Sequence, residues 1–399
     1  MSAGVEATLA FLLAGILALL LVPLTDRLAR RIGAIDYPDD QRSLHAAPTP
    51  RLGGLAIFAA VLTAALIWLP WDAETRAILA GAALIVAIGM LDDVHELNAA
   101  TKLLGQTVAV IVPVSAGVTV DSFTVPFFGQ LNPGTVELVG LPGSGSIDLG
   151  DVGTTIGIVA MINVINLIDG VDGLAAGVCL ISGIALAVIA LSLDRTAAGI
   201  LAALTAGASL GFLRHVVPPA STFMGDTGSN LLGYLLGVVA VQGALKTNAV
   251  IALFLPLIIL TVPILDTGFV VAKRLKYRRP IYRADTWHFH HRMANIGFSQ
   301  RRTLAYLYGW TLVMAMLALA LRFVPYSDDH GNFDVLWSAV IGLFGLAALA
   351  ASVYLVYVLE ILKLRRFGRV DPQTGEFGVV DPETGEFEAI LPGDERPSQ

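Results

Sequence analysis

Long, nearly uncharged apolar blocks constrain this chain more than any other feature of its sequence. The first block, residues 4–24, contains a single charged residue, Glu6. An α-helix of about 20 apolar residues is long enough to cross the hydrocarbon core of a bilayer. Of all 399 residues, 55% are hydrophobic and only 14% are charged, whereas soluble domains contain about 25% charged residues. We therefore expect an all-α polytopic membrane protein.

Eleven apolar segments are candidates for membrane spans, although the third is short for a helix that crosses lipid. They cover approximately residues 4–24, 53–70, 77–91, 103–120, 152–168, 174–193, 197–213, 230–245, 249–271, 303–322 and 335–362. Cytoplasmic loops of membrane proteins are enriched in Lys and Arg. With these spans, one side of the membrane holds 21 of the 25 basic residues and the other side holds four. The prediction is therefore about eleven transmembrane helices, with the N-terminus outside and the C-terminus in the cytoplasm.

Two segments outside the spans have distinct compositions. The loop 121–150, on the predicted outer side, contains no Lys or Arg, and we expect short strands or a turn-rich cap there. Residues 369–399 form an acidic cytoplasmic tail, in which Val370–Phe377 recurs with one substitution as Val380–Phe387. Because Asp-Pro and Thr-Gly are turn signals, the tail is expected to be a flexible or hairpin-like appendage, with partner docking as the alternative. The other predicted domain is the transmembrane domain, residues 1–368.

Polar clusters beside apolar spans are the candidate functional sites, because polar groups are costly there. Asp92 and Asp93 directly follow the third span, and Glu96 and Lys102 come soon after. Carboxylates this close disfavour each other's ionisation unless a cation lies nearby, and Mg²⁺ binds carboxylates together with phosphate oxygens. The cluster indicates a metal or phosphate site, and a solvated helix end is the alternative.

A second cluster combines amides and carboxylates. Asn163, Asn166 and Asp169 are spaced by three residues, so they share one face of a helix. A glycine follows Asp169 and another follows Asp172, and glycines allow a backbone to approach a ligand closely. Hydrogen bonds between helices would explain the asparagines but not the two carboxylates, which favours a functional role.

Three single residues are further candidates for the site. Asp226, between glycines at the start of the eighth span, is either a helix cap or a metal ligand near phosphate. Arg51, which precedes the second span, is either an anchor at the cytoplasmic interface or a substrate ligand. Asp266 lies within the ninth span and is expected to face the bundle and pair with a base.

The loop 273–302 contains nine basic residues and the run His288–Arg292, with the sequence His-Phe-His-His-Arg. Such a loop could attract anionic lipid headgroups. Zinc binding has weak support, because no cysteine lies near. Pyrophosphate binding is the more economical interpretation, since carboxylates elsewhere could hold Mg²⁺ and arginine binds phosphate in a bidentate manner.

These clusters, in this order over about residues 20–310, resemble the polyprenyl-phosphate N-acetylhexosamine-1-phosphate transferase family. That family also contains the phospho-N-acetylmuramoyl-pentapeptide transferase. The run His288–Arg292, called the histidine loop below, is similar to that of the bacterial branch that uses UDP-N-acetylglucosamine and undecaprenyl phosphate. Glu96 and Thr286 depart from the family pattern.

The resemblance implies a role for each matching residue. The implied catalytic residues are Asp92, Asp93, Asp169 and His290. Together with Arg51, the residues expected to bind substrate are Lys102, Asn166, Asp172, His288, His291 and Arg292. The implied metal ligands are Asp226 and Asn166, with Mg²⁺ as the expected cofactor and Mn²⁺ as the alternative.

The implied reaction transfers N-acetylglucosamine-1-phosphate from UDP-N-acetylglucosamine to undecaprenyl phosphate and releases UMP. It would be the first membrane step of cell-envelope glycan synthesis, as for lipopolysaccharide or teichoic acid linkage. Positioning and electrostatics should dominate such catalysis. Either a carboxylate removes a proton from the lipid phosphate, or an aspartate forms a covalent phosphoryl intermediate. The nearest alternative is the same chemistry with UDP-N-acetylmuramoyl-pentapeptide or another UDP-sugar.

A transporter or flippase for a phosphorylated lipid is the alternative from a different class. Transport sites tend to lie near the midplane and between structural repeats, whereas these clusters lie at one face of spans without an internal repeat. A lipid phosphatase would need a differently ordered set of acids and histidines. The expected setting is the bacterial plasma (inner) membrane, with the active site on the cytoplasmic face. The expected partners are a polyprenyl phosphate, a UDP-sugar and, by family resemblance, a second copy of the chain, with no nucleic acid.

Overall fold

The computed structural model of this chain is a bundle of α-helices with short β-hairpins between some of them. It describes residues 2–37, 48–125, 129–141, 145–245, 254–276, 289, 292–293, 297–326, 334–365, 369–370, 377–380 and 387–389. Seven helices in these residues are long and apolar enough to cross a membrane, and shorter apolar helices lie among them. The chain is therefore a predominantly α-helical, multi-pass membrane protein, as the sequence predicts.

The helices follow the predicted spans closely. They are α1 (Ala3–Ile32), α2 (Gly53–Trp68), α3 (Ala73–His95), α4 (Ala99–Ser115), α5 (Leu149–Ile168), α6 (Leu174–Ser192), α7 (Thr196–Val216), α8 (Gly225–Ala240, continued by a π-helical turn, Val241–Leu245), α9 (Phe254–Ile259), α10 (Thr261–Lys276), α11 (Gln300–Phe323) and α12 (Val335–Arg365). The third span is longer than predicted, because α3 has 23 residues and is long enough to cross lipid. The described part of the predicted span 249–271 contains two helices, α9 and α10, rather than one.

Short antiparallel strands form four small sheets in the described residues. They are β1 (Ile35–Asp36) with β2 (Thr49–Pro50), β3 (Phe123–Val125) with β4 (Gly129–Leu131), β5 (Glu137–Leu141) with β6 (Gly145–Asp148), and a three-stranded sheet of β7 (Arg369–Val370), β8 (Phe377–Val380) and β9 (Phe387–Ala389). The strands β3 to β6 confirm the prediction of short strands in the loop 121–150. In the tail, β8 and β9 begin at the Phe that ends each copy of the repeat.

Helix α1 packs closely against α7 because both helices present small residues to the contact. Four alanines spaced by three or four residues belong to the buried face of α1, namely Ala7, Ala10, Ala14 and Ala18. On α7, a Cβ atom added to Gly207 would lie 2.0 Å from the Phe11 carbonyl oxygen, and one added to Gly211 would lie 2.0 Å from the Gly15 carbonyl oxygen. Small residues four apart allow membrane helices to approach in this way.

Helix α8 occupies the interior of the bundle. Its residues 227–240 are all buried, and it packs against α2, α3, α5 and α7. The Tyr234 hydroxyl, fully buried on α8, donates to the Ile78 carbonyl oxygen at 2.9 Å, which satisfies its only polar group. This packing fixes the position of the N-terminal turn of α8, where Asp226 lies.

The contact between α1 and α7 can be tested with two glycine variants. Gly207→Ala should lower the Tm of the purified protein in detergent, because overpacking of a close contact costs about 1–3 kcal/mol. Gly157→Ala is the matched control, because an added Cβ there meets no atom within 4 Å, and alanine is the better helix former. Equal Tm values for the two variants would contradict the close approach of the helices.

Candidate active site

Four helix ends bring polar side chains together at one end of the bundle. Asp92 lies in the last turn of α3, Lys102 in the first turn of α4, Asn166 in the last turn of α5 and Asp226 in the first turn of α8. Asn166 and Asp226 are far in sequence from Asp92 and Lys102, and the contacts between the four side chains define the candidate site.

The tight connection between α3 and α4 is built by its own sequence. Glu96 ends α3 in a left-handed conformation, with a φ of 50°. The Asp92 carboxylate accepts the Leu97 N–H at 2.7 Å, and Asn98 caps α4 by accepting the Thr101 N–H at 3.0 Å. These bonds set the distance between Asp92 and the first turn of α4.

The Lys102 ammonium lies between two carboxylates. Its Nζ atom is 2.9 Å from Asp92 Oδ2, and it also forms an ion pair with Asp226. The Lys102 side chain is only 16% exposed, so water screens these pairs less than pairs at a surface. The ammonium offsets the repulsion that would otherwise act between Asp92 and Asp226.

Asn166 connects the ion pair to α8. Its amide nitrogen donates to Asp226 Oδ1 at 2.6 Å and to Ser229 Oγ at 2.9 Å. Its amide oxygen faces the Lys102 ammonium at 3.4 Å. One side chain therefore orients both the carboxylate and the ammonium of the site.

Asp93 has a different environment from its neighbour Asp92. Its carboxylate accepts the Asp226 N–H at 2.8 Å, the Thr227 N–H at 3.0 Å and the Thr227 hydroxyl at 2.6 Å. These donors lie at the N-terminus of α8, where free N–H groups and the helix dipole favour a negative charge. Gly225, with a φ of 63°, allows the close contact, because a Cβ there would lie 2.5 Å from Asp93 Oδ2. Asp93 therefore holds the turn that carries Asp226.

A second layer of polar side chains lies one helical turn deeper. Gln106, Asn163 and Asn230 follow or precede Lys102, Asn166 and Asp226 by three or four residues on the same helices, so they lie on the same faces. The Asn163 amide donates to Gln106 Oε1 at 2.8 Å, and the Gln106 amide donates to Asn230 Oδ1 at 3.5 Å. Gln106 and Asn230 are fully buried. The amide layer links α4, α5 and α8 directly beneath the charged site.

Asp169 and Asp172 lie in the turn between α5 and α6. Burial and the nearby negative charges of Asp226, Asp93 and Asp172 raise the pKa of the Asp169 carboxyl well above its usual value. This carboxyl has no hydrogen-bond partner among the described residues. Asp172 accepts the Ala220 N–H at 3.0 Å, which fixes the turn to the segment that leads into α8.

The donor chemistry of the cluster fits a hard divalent cation. Asp92 and Asp226 flank the Lys102 ammonium, and the carboxyl groups of Asp93 and Asp169 lie near Asp226, so the cluster holds more acidic than basic groups. No three carboxylate, imidazole or thiolate groups within the described residues are placed to hold one ion. Mg²⁺ commonly takes only one or two protein carboxylates and completes its shell with water and substrate phosphates. Asp226 and the Asn166 amide oxygen could contribute to such a site.

Other predicted site residues lie elsewhere or outside the described residues. Arg51 pairs with Asp36 at 2.6 Å, so its guanidinium is engaged at the β1–β2 hairpin. Arg292 is only 2% exposed, and its guanidinium lies 4.3 Å from the centroid of the Phe269 ring. Burial lowers the pKa of Arg292 to about 10, and the nearby carboxylate of Asp266 opposes that shift. The predicted ligands His288, His290 and His291 lie outside the described residues.

Sequence reasoning missed two residues that support the site. Thr227 donates two of the three hydrogen bonds that Asp93 accepts. Its position next to Asp226 in the sequence was the signal that could have identified it as part of the site. Tyr308 of α11 donates its hydroxyl to the Gly173 carbonyl oxygen at 2.5 Å. A tyrosine 135 residues from its partner has no local sequence signal.

Comparison with known proteins places these residues in a family. Residues 75–244 match the model of glycosyl transferase family 4. That range includes Asp92, Lys102, Asn166 and Asp226, but neither Arg51 nor the histidine loop.

Three curated relatives cover most of this chain. A probable undecaprenyl-phosphate N-acetylglucosaminyl 1-phosphate transferase of Bacillus subtilis is 35% identical over 80% of this chain and 86% of its own length. A decaprenyl-phosphate N-acetylglucosaminephosphotransferase of Mycobacterium leprae is 35% identical over 81% of this chain and 86% of its own length. A phospho-N-acetylmuramoyl-pentapeptide-transferase of Desulforudis audaxviator is 34% identical over 79% of this chain and 97% of its own length. The chain therefore belongs to the family of polyprenyl-phosphate N-acetylhexosamine-1-phosphate transferases.

Proposed function

We propose that the protein transfers N-acetylglucosamine-1-phosphate from UDP-N-acetylglucosamine to undecaprenyl phosphate or a related polyprenyl phosphate. The observation that carries the proposal is the Lys102 ammonium held between Asp92 and Asp226 at one end of a membrane bundle. A charged site at the end of apolar helices suits a substrate pair of which one is a lipid and the other a water-soluble anion. The names of the relatives from Bacillus subtilis and Mycobacterium leprae support the acceptor and the sugar.

In the proposed reaction, an oxygen of the lipid phosphate attacks the phosphorus that carries the sugar. A new P–O bond forms there, and the bond from that phosphorus to the oxygen of UMP breaks. UMP leaves with the bonding electron pair. The products are a polyprenyl-pyrophosphoryl N-acetylglucosamine and UMP.

The contacts of each side chain in the site indicate its role in the proposed reaction. Lys102 places a fixed positive charge where phosphate oxygens would gather, and fixed charges stabilise a transition state without reorganisation. Asp92 is proposed to accept the proton of the lipid phosphate, because its carboxylate lies beside Lys102, whereas the Asp93 carboxylate is engaged by three donors of α8. Asp169, Asp172 and the histidine loop are proposed to contact the nucleotide and the pyrophosphate.

We also propose that Asp226 and Asn166 hold Mg²⁺. The bound ion would offset the negative charge of the donor pyrophosphate. Asn166 keeps the Asp226 carboxylate oriented through its hydrogen bond of 2.6 Å, and Ser229 fixes the same amide at 2.9 Å.

The proposed setting is the bacterial plasma (inner) membrane. We propose eleven spans, an external N-terminus, a cytoplasmic C-terminus and a homodimer. The distribution of Lys and Arg supports this orientation, and it places the site on the cytoplasmic face, where nucleotide-sugars occur.

The proposal is tested by turnover of the purified protein in detergent with undecaprenyl phosphate, Mg²⁺ and radiolabelled UDP-N-acetylglucosamine. We expect the label to enter the organic phase, UMP to appear in equal amount, and EDTA to stop both. Transfer only from UDP-N-acetylmuramoyl-pentapeptide would keep the reaction class and overturn the sugar. Absence of transfer from any UDP-sugar by a folded sample would favour a transporter.

The two adjacent aspartates should differ when they are replaced separately. Asp92→Asn should lower turnover by about 10²-fold or more, because a general base contributes about 10²–10⁴-fold. Its effect on the Tm should be the smaller of the two, because Lys102 keeps its ion pair with Asp226. Asp93→Asn should lower the Tm as well, because charge-assisted bonds to the start of α8 are weakened at a cost of about 1–3 kcal/mol. The same Tm for both variants, measured by thermal unfolding in detergent, would contradict this division.

Replacement of Asp226 tests the proposed metal ligand. Asp226→Ala should reduce turnover by at least about 10²-fold, the effect expected for loss of one electrostatic contact in the transition state. Asp226→Asn should leave a residual turnover that requires a higher Mg²⁺ concentration. Near-normal turnover of Asp226→Ala, with unchanged Mg²⁺ dependence, would exclude this assignment.

A further inference from the structure

Phe289 of the histidine loop is held by two helices, although its neighbours in sequence are polar. It is 1% exposed, and its N–H donates to Asp266 Oδ1 of α10 at 2.6 Å. Its ring centroid lies 6.1 Å from that of Phe269 on α10 and 5.8 Å from that of Trp310 on α11. A backbone N–H bound to a carboxylate is a strong, charge-assisted hydrogen bond, and the ring contacts add packing energy.

The same face of α10 also holds the arginine of the loop. Asp266 and Phe269 are three residues apart and therefore neighbours on the helix. The Arg292 guanidinium lies 4.3 Å from the Phe269 ring centroid, and the Asp266 carboxylate acts on its charge. A buried carboxylate is costly unless it is hydrogen-bonded and near a positive charge. The Phe289 N–H provides the hydrogen bond, and the Arg292 guanidinium provides the nearby positive charge.

This contact lies directly behind the turn that carries Asp169. Asp266 and Phe289 line a small apolar cavity together with Ile168 and Leu174, the last residue of α5 and the first of α6. On the neighbouring helix α11, Tyr308 donates to the Gly173 carbonyl oxygen at 2.5 Å. Phe289 and the residues that flank the turn 169–173 therefore line one cavity, and both segments contact α11.

We infer that Asp266 is a positioning residue that fixes Phe289 beside the turn 169–173, so that the residues joined to Phe289 and this turn act on one nucleotide-sugar. The inference rests on the proposed function, and it assigns Arg292 to the anchor as a partner of Asp266. His288 and His290 adjoin Phe289 in sequence, and consecutive Cα atoms are about 3.8 Å apart. Fixing Phe289 therefore limits the positions that these two residues can reach.

The kinetic test compares Asp266→Ala and Asp266→Asn with Gly268→Ala, a control on the same helix where an added Cβ meets no atom within 4 Å. Asp266→Ala should lower kcat/KM for the nucleotide-sugar by about 10²-fold, the effect of a misplacement near 1 Å, while KM for undecaprenyl phosphate stays unchanged. Asp266→Asn keeps an oxygen that accepts the Phe289 N–H, so it should recover part of this loss. Normal donor kinetics in Asp266→Ala, or a KM for undecaprenyl phosphate that rises as much as the KM for the donor, would overturn the inference.

Hydrogen exchange provides a readout that does not depend on activity. The Phe289 amide should exchange slowly in the wild type and in Gly268→Ala, and at least about tenfold faster in Asp266→Ala, because a lost hydrogen bond opens the amide to solvent. Equal exchange in all three proteins would overturn the anchor even if the enzyme is active. Faster exchange in Asp266→Ala, together with a wild type that transfers no sugar phosphate, would keep the anchor and reject the proposed function.

Discussion

An ammonium enclosed by carboxylates at the ends of membrane helices is the interaction on which the site depends. Lys102 brings the end of α3 and the start of α8 together, because Asp92 and Asp226 would repel each other without it. The positive charge of Lys102 offsets the negative charge of these carboxylates, and a bound pyrophosphate or cation would change this balance. Binding of the donor would give Lys102 new anionic partners, and a metal ion would give the carboxylates a new cation. Under the proposed function, the site would exchange its internal ion pairs for pairs with its ligands.

The rest of the bundle supports the ion pairs by fixing the rotation and the position of the helices that carry them. Beneath the ion pairs, Gln106, Asn163 and Asn230 bond to one another inside an apolar environment. Polar groups in such a place fix the rotation of their helices, since a rotated helix would leave them without partners. The hydrogen bond from the Asp226 N–H to Asp93 fixes the position of α8 along its axis, which is its height relative to α3. Rotation and height together determine where Asp226 lies.

Much of this could be predicted from short-range patterns. Apolar blocks gave the helices, and the spacing of Asn163, Asn166 and Asp169 gave a shared face. The different environments of Asp92 and Asp93 could not be predicted, because the donors that engage Asp93 lie 133 and 134 residues away. Arg292 illustrates the same limit. Its guanidinium group is suited to phosphate, but its burial against Phe269 is set by tertiary packing. Local sequence predicts which residue types are available, whereas helix packing decides which atoms they meet.

The burial of α8 from Thr227 onward has a consequence for biosynthesis. A helix whose first two turns include Asp226, Thr227, Ser229 and Asn230 is a poor substrate for insertion into lipid by itself. Its packing partners α2, α3, α5 and α7 all precede it in the chain, so they leave the ribosome first. The order of the helices therefore gives α8 a protein-lined place in the membrane at the moment it emerges. If α8 preceded these helices in the chain, it would emerge before the helices that surround it had been synthesised.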